Sequence, residues 1–101
     1  MSTSEFKNVK DIEFFFNENK VFDFLEVDKI GIFGSFARGE KANDIDILLE
    51  GVRNKQKAMS LKEDLEVKSK KKLDFVFEEY ANPIILHRAK KDLIYVKKHQ
   101  K

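Results

Sequence analysis

The segment Gly34-Ser35-Phe36-Ala37-Arg38-Gly39 is followed closely by Asp44-Ile45-Asp46, and the two together suit chemistry on phosphates. The glycine–serine turn comes directly after an apolar run, Ile30-Gly31-Ile32-Phe33, and the two aspartates open a second apolar run that ends at Leu49. In a strand, residues i and i+2 point to the same face, so Asp44 and Asp46 are expected side by side. Two like charges held that close are unfavourable unless a cation or a proton neutralises them. Paired carboxylates are hard ligands of the kind Mg²⁺ takes, usually in company with substrate phosphates. The turn supplies backbone N–H groups that can face an anion. A metal on one element and a phosphate on the other point to nucleotide chemistry.

A third acid extends the pattern. Lys72-Leu73-Asp74-Phe75-Val76-Phe77 reads as a strand rich in β-branched and aromatic residues. Asp74 fits its alternation imperfectly, so either the strand is buried on both faces or Asp74 lies at an edge of the core. A carboxylate in so apolar a strand is costly without a partner, and the same metal site would supply one. Each feature alone has a plainer reading. Gly34-Ser35 can be an ordinary turn with a serine cap, Asp44 and Asp46 can be solvated edge charges, and Arg38 can pair with Glu40 or Asp44 rather than with phosphate. It is the ordered set that favours the metal.

These residues have to be held by a framework, and the hydrophobic periodicity supplies one. Asn8 to Leu25 is helical in character, with Val9, Ile12 and Phe16 on one face and a possible break at Asn17-Glu18-Asn19. Strands are predicted at Lys29 to Phe33, Ile45 to Leu49 and Leu73 to Phe77, with a short fourth at Leu93 to Val96. A short helix starts at Ser35, a longer one covers Gln56 to Val67, and Asn82 and Pro83 cap and open a last helix to about Ala89. Alternating strands and helices give an α/β (α+β) domain, a small mixed sheet with helices packed mainly on one face. Phe14-Phe15-Phe16 cannot all be buried by one face of a helix, and Phe14 is expected to reach the edge or a partner.

In order and spacing these residues resemble the nucleotidyltransferase superfamily, and specifically its minimal stand-alone members. The matching pattern is Gly34-Ser35, Ala37-Arg38-Gly39, the pair Asp44 and Asp46, and the later strand aspartate Asp74. The resemblance runs from Lys29 to Val96, through the Leu61-Lys62-Glu63-Asp64-Leu65 helix and Asn82-Pro83. It implies that Asp44, Asp46 and Asp74 bind two Mg²⁺ ions and carry catalysis. It also implies that Gly34, Ser35 and Arg38 hold the phosphates of ATP. The reaction so implied moves AMP from ATP to a hydroxyl. Minimal members lack the helical domain that builds an acceptor pocket, and they are commonly paired with a small helical HEPN protein as the antitoxin of a toxin–antitoxin module. The acceptor so implied is a tyrosine of that partner. The loop Glu40-Lys41-Ala42-Asn43 is shorter than in many relatives, with Asn43 where serine is common. That departure favours an antitoxin acting by binding alone, and a nucleotide-sensing subunit of a larger transferase is a further alternative.

Composition bounds the remaining classes. The chain has 101 residues, the size of one domain spanning residues 1–101, and no cysteine, which excludes a disulfide frame or thiolate metal site. With 20 basic and 18 acidic residues the net charge is +2, which gives no support for nucleic-acid binding. The lysine-rich stretch Lys68 to Lys72 reads as a solvated loop, with attraction of an acidic partner as its functional reading. His87 and His99 are too isolated to propose zinc. No apolar run is long enough to span a bilayer, and Met1-Ser2-Thr3-Ser4-Glu5 lacks the pattern of a signal peptide, so a cytoplasmic protein is expected. The small size and surplus aromatic area also suggest assembly, with a helical partner or as a homo-oligomer.

Overall fold

The computed structural model describes residues 6–99. Met1 to Glu5, read above for the absence of a leader, lie outside them. Four strands form one sheet in the order β3-β2-β1-β4: β1 (Lys29–Phe33), β2 (Asp44–Leu49), β3 (Lys72–Phe77) and β4 (Ile94–Lys97). β1 is antiparallel to both β2 and β4, whereas β2 and β3 run parallel. That parallel pair needs a crossover, and α4 (Lys55–Ser69) provides it. The other helices are α1 (Val9–Glu18), α2 (Val21–Leu25), the single turn α3 (Gly34–Ala37) and α5 (Pro83–Asp92). The fold is thus the small mixed sheet with helices that the periodicity predicts.

Local chemistry sets the helix bounds. Asn54 caps α4 by accepting from the Lys57 backbone N–H, and Asn82 caps α5 by accepting from Ile84, with Pro83 as the first helical residue. The lysine stretch is the end of α4. Lys70 takes a left-handed conformation there, and the Lys71 N–H donates to the buried Ser69 hydroxyl at 3.2 Å. The break between α1 and α2 falls at Asn19, with Lys20 also left-handed. Among the described residues no helix is long and apolar enough to cross a membrane.

The two faces of the sheet differ. Ile30, Ile32, Ile45, Ile47, Leu49, Leu73 and Val96 are buried in one core with Phe16, Phe22 and Leu65 from the helices. The opposite face carries Gly31, Asp44, Asp46, Leu48 and Asp74. Leu93, just past α5, sits over Gly31 there. A Cβ at Gly31 would collide with its Cδ1 and lie 3.4 Å from Leu48 Cβ. Leu48 is fully buried, while Asp44 and Asp74 are exposed. The second face is therefore covered in its middle and open where the acids stand. Asp74 lies on the edge strand β3, which removes the burial cost the sequence raised for it.

The phenylalanine run divides three ways. Phe16 is buried, Phe15 packs edge-to-face on Phe6 at 5.2 Å, and Phe14 is 61% exposed. A core made of all three rings is thereby excluded. Phe14→Ser is expected to change unfolding free energy by no more than about 0.5 kcal/mol, as at other exposed sites. Phe16→Ala is expected to cost about 3–5 kcal/mol. Urea unfolding of the two variants measures both.

The outer edge of β4 is closed by side chains of α1. Glu13 accepts from the Lys97 backbone N–H at 2.8 Å, and Asn17 donates to the Lys97 carbonyl at 3.1 Å. Asn17 also accepts from the His99 backbone N–H at 2.8 Å. These bonds occupy groups that an edge strand would otherwise offer to another chain. The bond from Lys97, helped by the His99 ring, holds the Glu13 carboxyl below its ordinary value against the opposing effect of burial. A depressed carboxyl stabilises the fold above its unfolded pKa of 4.5, and the contribution is lost as pH falls through the folded value. Glu13→Ala is expected to cost about 0.5–1.5 kcal/mol near neutral pH. Denaturant titrations should show that difference from wild type shrinking as pH falls below 4.5 and through the lowered folded value.

Candidate active site

The site lies where β1 ends, β2 begins and β3 runs alongside. Gly34 turns the chain out of β1 with φ of 77°, a left-handed value natural to glycine. Its bareness has a second cause. A Cβ there would run into the Asp46 carboxylate. Asp46 stands opposite Phe33, the last residue of β1, and opposite Asp74 on the parallel neighbour β3. Asp44 is two residues earlier on the same face of β2. The register thus places Asp46 between the turn and Asp74, with Asp44 alongside. Burial first, then the Asp74 and Asp44 carboxylates, push Asp46 above the usual carboxylate range, and Arg38 opposes them weakly.

Among the described residues no three His, Cys, Asp or Glu side chains are gathered closely enough to hold a metal ion. The strands align the acids on one face, and a cation would have to draw the carboxylates together. The donor set suits Mg²⁺, since it is all oxygen and on one face.

The turn expected to face phosphate is α3. No side chain caps the start of this turn, so the Gly34 and Ser35 backbone N–H groups have no side-chain acceptor there. Arg38 closes it, and four of the five N–H donors of its guanidinium contact protein groups. Nε donates to Glu40 Oε2 at 2.9 Å and Nη1 to Asp92 Oδ2 at 2.7 Å. Nη2 reaches both Ser35 Oγ at 3.2 Å and Glu40 Oε1 at 3.3 Å. Glu40, then Asp92, hold Arg38 well above the ordinary arginine value, and Arg38 in turn holds the Glu40 carboxyl low. The pairing with Glu40 is one of the partnerships the sequence offered for Arg38. The bond to Asp92 was not anticipated. Its one sequence signal is an acid that ends a helix directly after two lysines, at the end of the helix dipole where an anion is disfavoured.

Known proteins share the fold that carries these residues. Residues 8–100 match the family model described as polymerase beta, nucleotidyltransferase. No curated protein matches the chain. Among solved structures, a mutant of the toxin–antitoxin MntA-HpeT is similar with a TM-score of 0.64 and 22% identity, covering 83% of this chain and 74% of its own. A toxin–antitoxin structure with AMP-PNP gives 0.63 and 22%, covering 83% and 75%. A tri-AMPylated Shewanella oneidensis HEPN toxin in complex with its MNT antitoxin gives 0.59 and 21%, covering 83% and 71%. At such identities the structures speak for the fold. The glycine turn, the strand aspartates beside it and the match over nearly the whole chain lead to one conclusion: this chain belongs to the polymerase β nucleotidyltransferase family.

Proposed function

We propose that this protein transfers AMP from ATP to a hydroxyl of a partner protein, as the antitoxin of a HEPN/MNT pair in the cytoplasm. The observation that carries this reading is the register of Asp46 with Asp74, beside Asp44 and against the bare Gly34 turn. Support for the partner comes from the similar structures, which are toxin–antitoxin complexes, one with AMP-PNP and one with an AMPylated HEPN toxin. In this reading Asp44, Asp46 and Asp74 hold Mg²⁺, taken as two ions, which when bound neutralise charge on the attacking and leaving oxygens. The Gly34 and Ser35 N–H groups, the Ser35 hydroxyl and Arg38 bind the outer phosphates. The acceptor oxygen bonds to the α-phosphorus, the bond to the β-phosphate oxygen breaks, and pyrophosphate leaves. Asp74, exposed on the edge strand β3, takes the proton of the incoming hydroxyl.

A second reading is an antitoxin that neutralises its partner by binding alone. It is favoured by two observations, the acids that stand too far apart to hold a metal and the Arg38 guanidinium already taken by Glu40 and Asp92. Mass spectrometry of the co-purified partner, before and after incubation with ATP and Mg²⁺, separates the two. Transfer adds one or more adenylyl groups to the partner. A stable complex whose partner gains no mass overturns the catalytic reading.

A further inference from the structure

The reading above gives Arg38 to the phosphates, and the present inference rests on it. As it stands, the Arg38 guanidinium points four donor contacts at protein groups, two to Glu40, one to Asp92 and one to Ser35. A polyphosphate that takes more of the fork than the second Nη1 N–H must displace one of them. The two carboxylates are not equivalent. Glu40 is in the loop after Gly39 with its side chain 56% exposed, whereas Asp92 ends α5 and is 25% exposed. Asp92 also sits where the helix dipole opposes it, and the Arg38 bond at 2.7 Å offsets that cost.

We propose that Asp92 is a positioning residue for the phosphate end of the site, holding Arg38 beside Ser35, while Glu40 occupies in the free protein the donors that an incoming polyphosphate takes. Asp92 fixes one nitrogen of the guanidinium from a helix packed on the sheet, so the fork stays over the turn when Glu40 leaves. Arg38 Nη2 then donates to a lone pair of the Ser35 oxygen, which turns the hydroxyl proton outward to an anion. Glu40 is an internal anion on the same donors, and its removal leaves a fork already aimed at phosphate.

The two acids therefore predict opposite signs in calorimetric titration of ATP with Mg²⁺. Asp92→Asn is expected to weaken ATP binding about 5–10-fold, the scale of one charge-assisted contact. Glu40→Gln is expected to tighten it by a factor of about 2–5, as a competing surface pair of modest strength is removed. Affinity for AMP, which lacks the outer phosphates, should not change with Asp92→Asn. In an Arg38→Gln background Asp92→Asn should have no further effect, because it acts only through Arg38. Wild-type protein that binds ATP together with an Asp92→Asn variant of equal affinity overturns this inference alone. So does an equal loss for AMP and ATP, which marks a merely structural role. Absence of ATP binding by the wild type removes the underlying reading of the site, and the inference with it.

Discussion

Asp46→Asn should abolish transfer, by a factor of about 10² or more, while the metal-free protein becomes more stable rather than less. The loss follows from position, because Asp46 is the one acid that touches every other part of the site. It lies opposite Asp74, shares a face with Asp44 and stands against Gly34. The gain in stability follows from the same position. Burial and two neighbouring carboxylates disfavour its charge, and asparagine keeps the shape without that charge. For a domain of this size each kcal/mol of relieved repulsion raises the melting temperature by about 4–8 °C. The measurement is thermal unfolding in chelator, paired with the transfer assay. Mg²⁺ should then raise the melting temperature of the wild type and leave the variant unmoved. A variant with near wild-type transfer would dismiss the metal assignment.

The second large effect is expected at Gly34. Gly34→Val combines two penalties, a left-handed φ of 77° and a Cβ directed into the Asp46 carboxylate. The backbone alone costs about 1–3 kcal/mol for a branched residue. The collision must move either the turn or the acid, so ATP binding and transfer should both fall below detection. Ser35→Ala leaves the backbone donors in place and should weaken ATP binding by about tenfold or less. Gly39 provides the control within the same loop. Its φ is 84° but no atom lies within 4 Å of a Cβ built there, so Gly39→Ala should cost stability with little effect on affinity. Equal affinities for Gly34→Val and wild type would place the nucleotide elsewhere.

The parts of this molecule that were legible in the sequence are those that depend on nearest neighbours along the chain. The apolar runs located all four strands, and Asn82 and Pro83 marked the start of α5, whereas the Asn54 cap that starts α4 one residue before the predicted Gln56 went unread. Asn17-Glu18-Asn19 marked the break after α1. The side-by-side placement of Asp44 and Asp46 followed from the period of a strand alone. What was not legible depends on pairings between distant segments. Nothing in the local pattern fixes β2 parallel to β3 with Asp46 opposite Asp74, since a shift of one residue would turn Asp74 to the core. The sequence placed Gly34 only in a turn toward phosphate, whereas the structure adds a neighbour from another strand, the Asp46 carboxylate. Asp92 escaped notice because its partner Arg38 is brought to it by the path of α5 across the sheet.

The closure of β4 by α1 has a consequence for how the chain acquires its shape. Asn17 and Lys97 are 80 positions apart, and Glu13 and Lys97 are 84 apart. During synthesis α1 emerges before every strand of the sheet, yet the strand it latches onto follows the other three. β1 is likewise left with one flank bare until β4 arrives. Until β4 has been made the nascent chain therefore exposes a sheet edge and an unanchored amphipathic helix, and β4 acts as a zipper pull that seats both at once. Contacts of such long sequence separation slow folding. Deletions after Leu93 should accordingly loosen α1, at the opposite end of the sequence, as much as they remove β4.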